Sequence, residues 1–145
     1  MDKLLFVLIC ILLKLNLNSN SSYIINMANI QKITKIISIP RPVSSINLAF
    51  VKKKVLNYIS KINGFIAEEQ EFTRVINNNS YSFSNIVAHN KNANSTNRQK
   101  IILTAHIDSL YNNQHFNGSI DSATSIALII EITNKLKNSC SRYHN

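Results

Sequence analysis

The stretch Ile101–Leu136, IILTAHIDSLYNNQHFNGSIDSATSIALIIEITNKL, decides how the rest of the chain is read. An apolar run, Ile101-Ile102-Leu103-Thr104-Ala105, stops at His106, and Asp108 follows two residues later. A polar, Asn-rich loop leads to Gly118-Ser119-Ile120-Asp121-Ser122-Ala123, and an apolar-periodic segment then runs to Leu136. The Ile- and Leu-rich run suits a buried strand and the last segment a helix. The spacing predicts a central strand over 100–105 and a helix over 122–137. Between them stand one imidazole and two carboxylates. Ligands of open α/β sheets bind beyond the carboxyl ends of the strands, so the chemistry is expected here.

Working upstream, Phe65 to Val75 and Tyr81 to His89 read as a strand pair around Asn77-Asn78-Asn79-Ser80, that is, a hairpin. Before it, Ile46 to Ile62 reads as a helix capped by Ser44-Ser45. Its apolar face would be Leu48, Val51, Val55, Leu56 and Ile59, and Gly64 would stop it. Tyr23 to Ser38, with Ile30, Ile33, Ile36 and Ile37, suits an amphipathic helix broken by Pro40-Arg41-Pro42. Residues 1–22 read as a secretory signal peptide. Lys3 precedes the unbroken apolar run Leu4 to Leu13, and small polar residues follow at Asn18 to Ser22. Ten apolar residues are half of what a membrane span needs, so no stable span is expected; a short uncleaved anchor is the alternative. Residues 23–145 would form one domain.

A hydrophobic content of 45% allows a packed core. The net charge of +9 accompanies abundant Lys, Asn and Ile and is not read as functional. Lys52-Lys53-Lys54 is the one tight basic cluster; without interleaved aromatics it reads as a solvated helix face, and no nucleic-acid partner is expected. Cys10 falls in the leader, which leaves Cys140 without a partner. Asn20, Asn78, Asn94 and Asn117 each begin an Asn-x-Ser/Thr sequon.

Asp121 has two readings. It stands where an N-cap would stand, or it is a metal ligand. His106 and Asp108 could simply open a loop. Their convergence with Asp121 on one crevice favours chemistry, and carboxylate oxygen with imidazole nitrogen suits zinc. The set falls short of a complete four-ligand site.

Ala105-His106-Ile107-Asp108-Ser109 followed by Phe116-Asn117-Gly118-Ser119-Ile120-Asp121-Ser122-Ala123 resembles the animal-type glutaminyl-peptide cyclotransferases. These sit within the larger zinc aminopeptidase (M28) fold group. Pro40-Arg41-Pro42-Val43-Ser44-Ser45 is similar to that family's Pro/Arg-rich stretch, and Tyr81 to Val87 to its Phe-x-Asn-hydrophobic strand. The likeness runs from about Met27 to Leu136. Asp121 followed by Ser122-Ala123 is similar to the cyclases; in two-zinc peptidases the bridging Asp usually precedes Asp or Asn.

The resemblance implies an α/β fold: a three-layer α/β/α arrangement with a mixed central sheet, present here in part. It implies conversion of the N-terminal Gln of peptides to pyroglutamate with loss of ammonia, Zn2+ as cofactor, and a secretory location. Asp121 would be the zinc ligand, with His106 second. Asp108 and Ser122 would line the site. The family's disulfide places hold Ala105 and Ile126 here. Its Glu-Glu pair, later Asp and final His find no match after Leu136, and the chain has no Trp, whereas the family's pocket is Trp-lined. Activity of this chain alone is therefore not expected. The alternatives are an M28-type aminopeptidase with two metals, or a silent fragment that acts by binding. From the strand-end placement, Asp121 and His106 should lie within about 8 Å of each other.

Overall fold

The computed structural model describes residues 24–91, 101–111, 113 and 115–137. The leader and both cysteines lie outside these residues. In order come helix α1 (Met27–Ile37), helix α2 (Ile46–Ser60), strands β1 (Phe65–Ile76) and β2 (Asn79–Asn90), a wide π-type turn (Ser119–Ala123) and helix α3 (Thr124–Leu136).

Each helix starts and stops for a local reason. The Asn26 side chain accepts from the Asn29 amide to open α1, and Ser45 does the same from Leu48 to open α2. Helix α1 begins later than its periodicity predicts, at the residue after this cap. It buries Ile30, Ile33 and Ile37, and Pro40 lies beyond its end. Helix α2 buries Val51, Val55 and Ile59, one residue per turn. Gly64, at φ +85°, takes the left-handed turn that swings the chain from α2 into β1.

The sheet has two antiparallel strands, registered from Phe65 opposite Asn90 to Ile76 opposite Asn79. Its turn is Asn77-Asn78, both at positive φ. That is tighter than the four-residue turn the sequence predicts. Asparagine tolerates the left-handed conformation, and a two-residue turn of this kind matches the twist of the strands. Phe65 and Ala67 on one face of β1, with Ile86 from β2, pack against the core; from Glu71 to Ser80 the hairpin is exposed. Lys52 of α2 grips this face through Glu69 and Ser84. Helix α3 lies against α1 and adds Ile126, Ala127 and Ile130 to the one shared core. Each isoleucine so buried contributes about 1.5–3 kcal/mol relative to exposure.

The segment over 101–105 departs from expectation. Its described residues run without strand pairing, with Ile101 at 91% and Ile102 at 80% exposure. A buried strand needs a partner on each flank. Among the described residues β1 and β2 pair only with each other, so the apolar run has nothing to bury itself against. Helix and sheet still form an α/β framework; of the expected mixed central sheet, the described part is this antiparallel pair.

Candidate active site

The site forms where the unpaired segment ends and α3 begins. Gly118 opens the turn at φ +58°. A Cβ there would come within 2.8 Å of the Asp121 carbonyl and 3.0 Å of the Arg41 guanidinium, so only glycine fits. Asp121 then takes extended backbone angles, and Ser122 turns left-handed at φ 84°. This break carries Asp121 outside the helix. Helix α3 begins at Thr124 with no side-chain cap, so Asp121 does not act as its N-cap.

The freed carboxylate meets His106: Nε2 and Asp121 Oδ1 are 2.9 Å apart. On the other side of the ring, Nδ1 is 3.1 Å from the Asp108 carbonyl oxygen and 3.2 Å from Asp108 Oδ1. Both ring nitrogens therefore face acceptors, and both are satisfied at once only when the imidazole is doubly protonated. His106 is accordingly held above its usual pKa. The Asp121 hydrogen bond is the main cause, burial opposes it, and Asp108 adds to it. The side chains of His106 and Asp121 are 52% and 63% exposed, so as an ion pair this contact adds little stability.

That geometry decides which residues could hold a metal. Asp108 and Asp121 stand on opposite sides of the ring and cannot converge on one ion with it. Among the described residues no group of three or more His, Cys, Asp and Glu side chains could hold a metal ion. The pair Nε2/Oδ1 can share one. Two tetrahedral zinc ligands at about 2.1 Å would stand about 3.4 Å apart, a small opening from the observed 2.9 Å. The donor chemistry fits zinc, and the set is incomplete.

Ser122 does not face this opening. It is buried, accepts from Arg41 Nη2 at 2.7 Å and leans toward the Asp108 carbonyl. Arg41 was given no role by the sequence beyond its place in a helix-breaking Pro-Arg-Pro. It is fully buried. Its Nε donates to the Ile107 carbonyl at 2.7 Å, and Nη1 to Ile37, Ile39 and Asn117 carbonyls, the last at 2.6 Å. Its backbone exchanges hydrogen bonds with Ser109. The available signals were an arginine fixed between two prolines and the likeness of that stretch to the family's Pro/Arg-rich segment, and neither gave the side chain a role.

A crystal structure of glutaminyl cyclase from Macrostomum lignano is similar to this chain, with a TM-score of 0.69 and 23% identity. The fold is of glutaminyl cyclase type, in part. The match covers 78% of this chain and 34% of that one, so the chain spans about a third of that structure's length. Residues 85–145, which include His106, Asp108, Asp121 and Ser122, match peptidase family M28. No curated protein matches. No helix among the described residues is long and apolar enough to cross a membrane.

Proposed function

We infer that the chain is the N-terminal part (residues 23–145, after a signal peptide at 1–22) of a secreted, zinc-dependent glutaminyl-peptide cyclotransferase. Its partners would be peptide or protein N-termini that begin with Gln. The observation that carries this reading is the contact of His106 with Asp121 on a fold of glutaminyl cyclase type. Asp121, and second His106, are the side chains that would hold Zn2+. When bound, the metal supplies polarisation of the glutamine side-chain carbonyl. Asp108 fixes the His106 ring through Nδ1, so that Nε2, which faces Asp121, is the nitrogen that would bind the metal.

The proton carried from the α-amine to the leaving ammonia has no evident carrier in this set. Glu68, Glu69 and Glu71 lie on β1, and Glu131 is buried against α1. A catalytic zinc takes three protein ligands, and a placed general base is worth about 10²–10⁴-fold. The chain alone, given Zn2+ and a Gln-initiated peptide, is expected to form pyroglutamate at the spontaneous rate.

The test is pyroglutamate formation by the protein as its native cells produce it. Zinc-dependent cyclisation that disappears with Asp121→Ala supports the reading; cyclisation indifferent to Asp121 sinks it. The match to peptidase family M28 favours a second reading, an aminopeptidase in which Asp121 bridges two metals. Release of free N-terminal residues with two zinc ions per chain would establish that one instead. Secreted material whose sequence began at Met1 would refute the cleaved leader.

A further inference from the structure

We propose that Arg41 is the positioning residue of this site, setting the approach of His106 to Asp121 from beneath. The inference deepens the metal-site reading above and rests on it in part. Arg41 has no exposed surface, so it cannot touch substrate or metal. Its contacts instead fall on the backbone beside each site residue. Nε holds the carbonyl of Ile107, the residue between His106 and Asp108. Nη1 and Nη2 hold the carbonyls of Asn117 and Gly118, where the turn toward Asp121 begins. Nη2 also holds the hydroxyl of Ser122, the residue after Asp121. One planar group thus ties the segment bearing the imidazole to the turn bearing the carboxylate. The remaining Nη1 bonds, to Ile37 and Ile39, anchor both to the end of α1.

No carboxylate is among its hydrogen-bond acceptors. Burial lowers the pKa of the guanidinium, and the charges of Asp108 and Asp121 act against that from a distance. An ion pair would have met the charge with one or two acceptors; here it is divided among carbonyl and hydroxyl oxygens on separate segments. Lysine, a point donor with three protons, cannot reproduce that fork. Gly118 is the matching half: its missing Cβ leaves room for both the guanidinium and the Asp121 carbonyl. Partners that orient metal ligands without binding the metal typically change metal affinity by 10–100-fold when removed.

The test uses the full chain with Co2+ alone as the probe, in wild type, Arg41→Lys and Glu131→Gln. Glu131→Gln disturbs a buried polar contact on the α1–α3 side, which makes it a control for mere destabilisation. Affinity is counted per folded molecule, with the folded fraction taken from circular dichroism. About tenfold weaker Co2+ binding in Arg41→Lys, with Glu131→Gln unchanged, is the expected result. Equal affinity in Arg41→Lys and wild type overturns the proposal, as does an equal loss in both variants. If the wild type takes up no Co2+, the two ligands of this chain do not hold a metal by themselves. The His106 ring nitrogen shifts in metal-free protein then decide: a change in Arg41→Lys supports the proposal, and identity with wild type refutes it. Should Arg41→Lys not fold, Ser122→Ala, which keeps the arginine but removes its acceptor beside Asp121, takes its place with the same outcomes.

Discussion

Two regions of this molecule invert the usual order of inside and outside. Arg41, the most polar kind of side chain, has no exposed surface, while Ile101 and Ile102 are almost fully in solvent. The contrast teaches that burial follows partners. Arg41 goes inside because oxygens from several segments converge on it, and a polar group so satisfied can be buried. Ile101 and Ile102 stay outside because no described strand offers its backbone a ladder or its side chains a face.

The hardest way to break the contrast is Arg41→Met. It keeps the apolar stem but strips donors from the carbonyls of Ile37, Ile39, Ile107 and Asn117. Each buried acceptor left unpaired costs about 1–3 kcal/mol, and urea unfolding would register their sum as the largest loss of the set. A loss near zero would mean that water serves those carbonyls as well.

Next comes Glu131, on the α3 face toward α1. It accepts from the Asn26 amide and from Asn29 Nδ2 at 2.8 Å, beside Lys135. Burial works against its charge, yet Asn29, the Asn26 amide and Lys135 together hold its pKa below the ordinary glutamate value of 4.5. A carboxylate so lowered stabilises the fold above its unfolded pKa, and that contribution is lost as pH falls through the lower folded value. Thermal melts between pH 7 and pH 3 should therefore show a decline below about pH 4.5 that Glu131→Gln lacks. The substitution itself should cost about 1–3 kcal/mol at pH 7. Ser45→Ala, which removes the cap of α2, should cost about 1 kcal/mol by the same measurement.

The smallest expected effect sharpens the other side of the comparison. Ile102→Lys should change stability by less than about 0.5 kcal/mol. It should also lower light scattering at high protein concentration, because an open apolar segment invites pairing with other chains. A loss of 2 kcal/mol or more would mean that the segment is packed as its sequence predicts. In the site, His106 should titrate above 6.5. Its charged form is favoured in the folded state, so the stabilisation is present below pH 6.5 and fades as pH rises through the higher folded pKa. Nuclear magnetic resonance of Asp121→Asn should show the titration moving back down.

Much of this was readable from residues because the signals are local. Ser45 announces α2, Gly64 ends it, the Ile30, Ile33 and Ile37 spacing marks the inner face of α1, and the period change at Phe65 marks the hairpin. His106 and Asp121 could be paired because a strand-like run and a helix fall either side of one loop. What stayed hidden depends on distant parts of the chain. The run from Ile101 reads as a core strand because its composition records what it is suited to, while burial depends on neighbours that composition does not report. The capping reading of Asp121 stands beside the metal-ligand one in the sequence because nothing there shows the backbone break at Ser122. Arg41 was hidden because its acceptors are main-chain carbonyls, which every residue carries.

The Arg41 knot also has a consequence in time. The acceptors it finds on the site segments lie 66 to 81 residues further along the chain. The caps of α1 and α2 and the hairpin turn, by contrast, close over a few residues. Loop closure grows costlier with every doubling of the span, by about 0.6 kcal/mol, and contacts of long separation are slow to form. The helices and hairpin can therefore assemble before the arginine has anything to grasp. Among the described residues only the docking of α3 on α1 spans more of the chain, 102 to 105 residues at Glu131, so that docking and the arginine knot are the two slow closures of the fold.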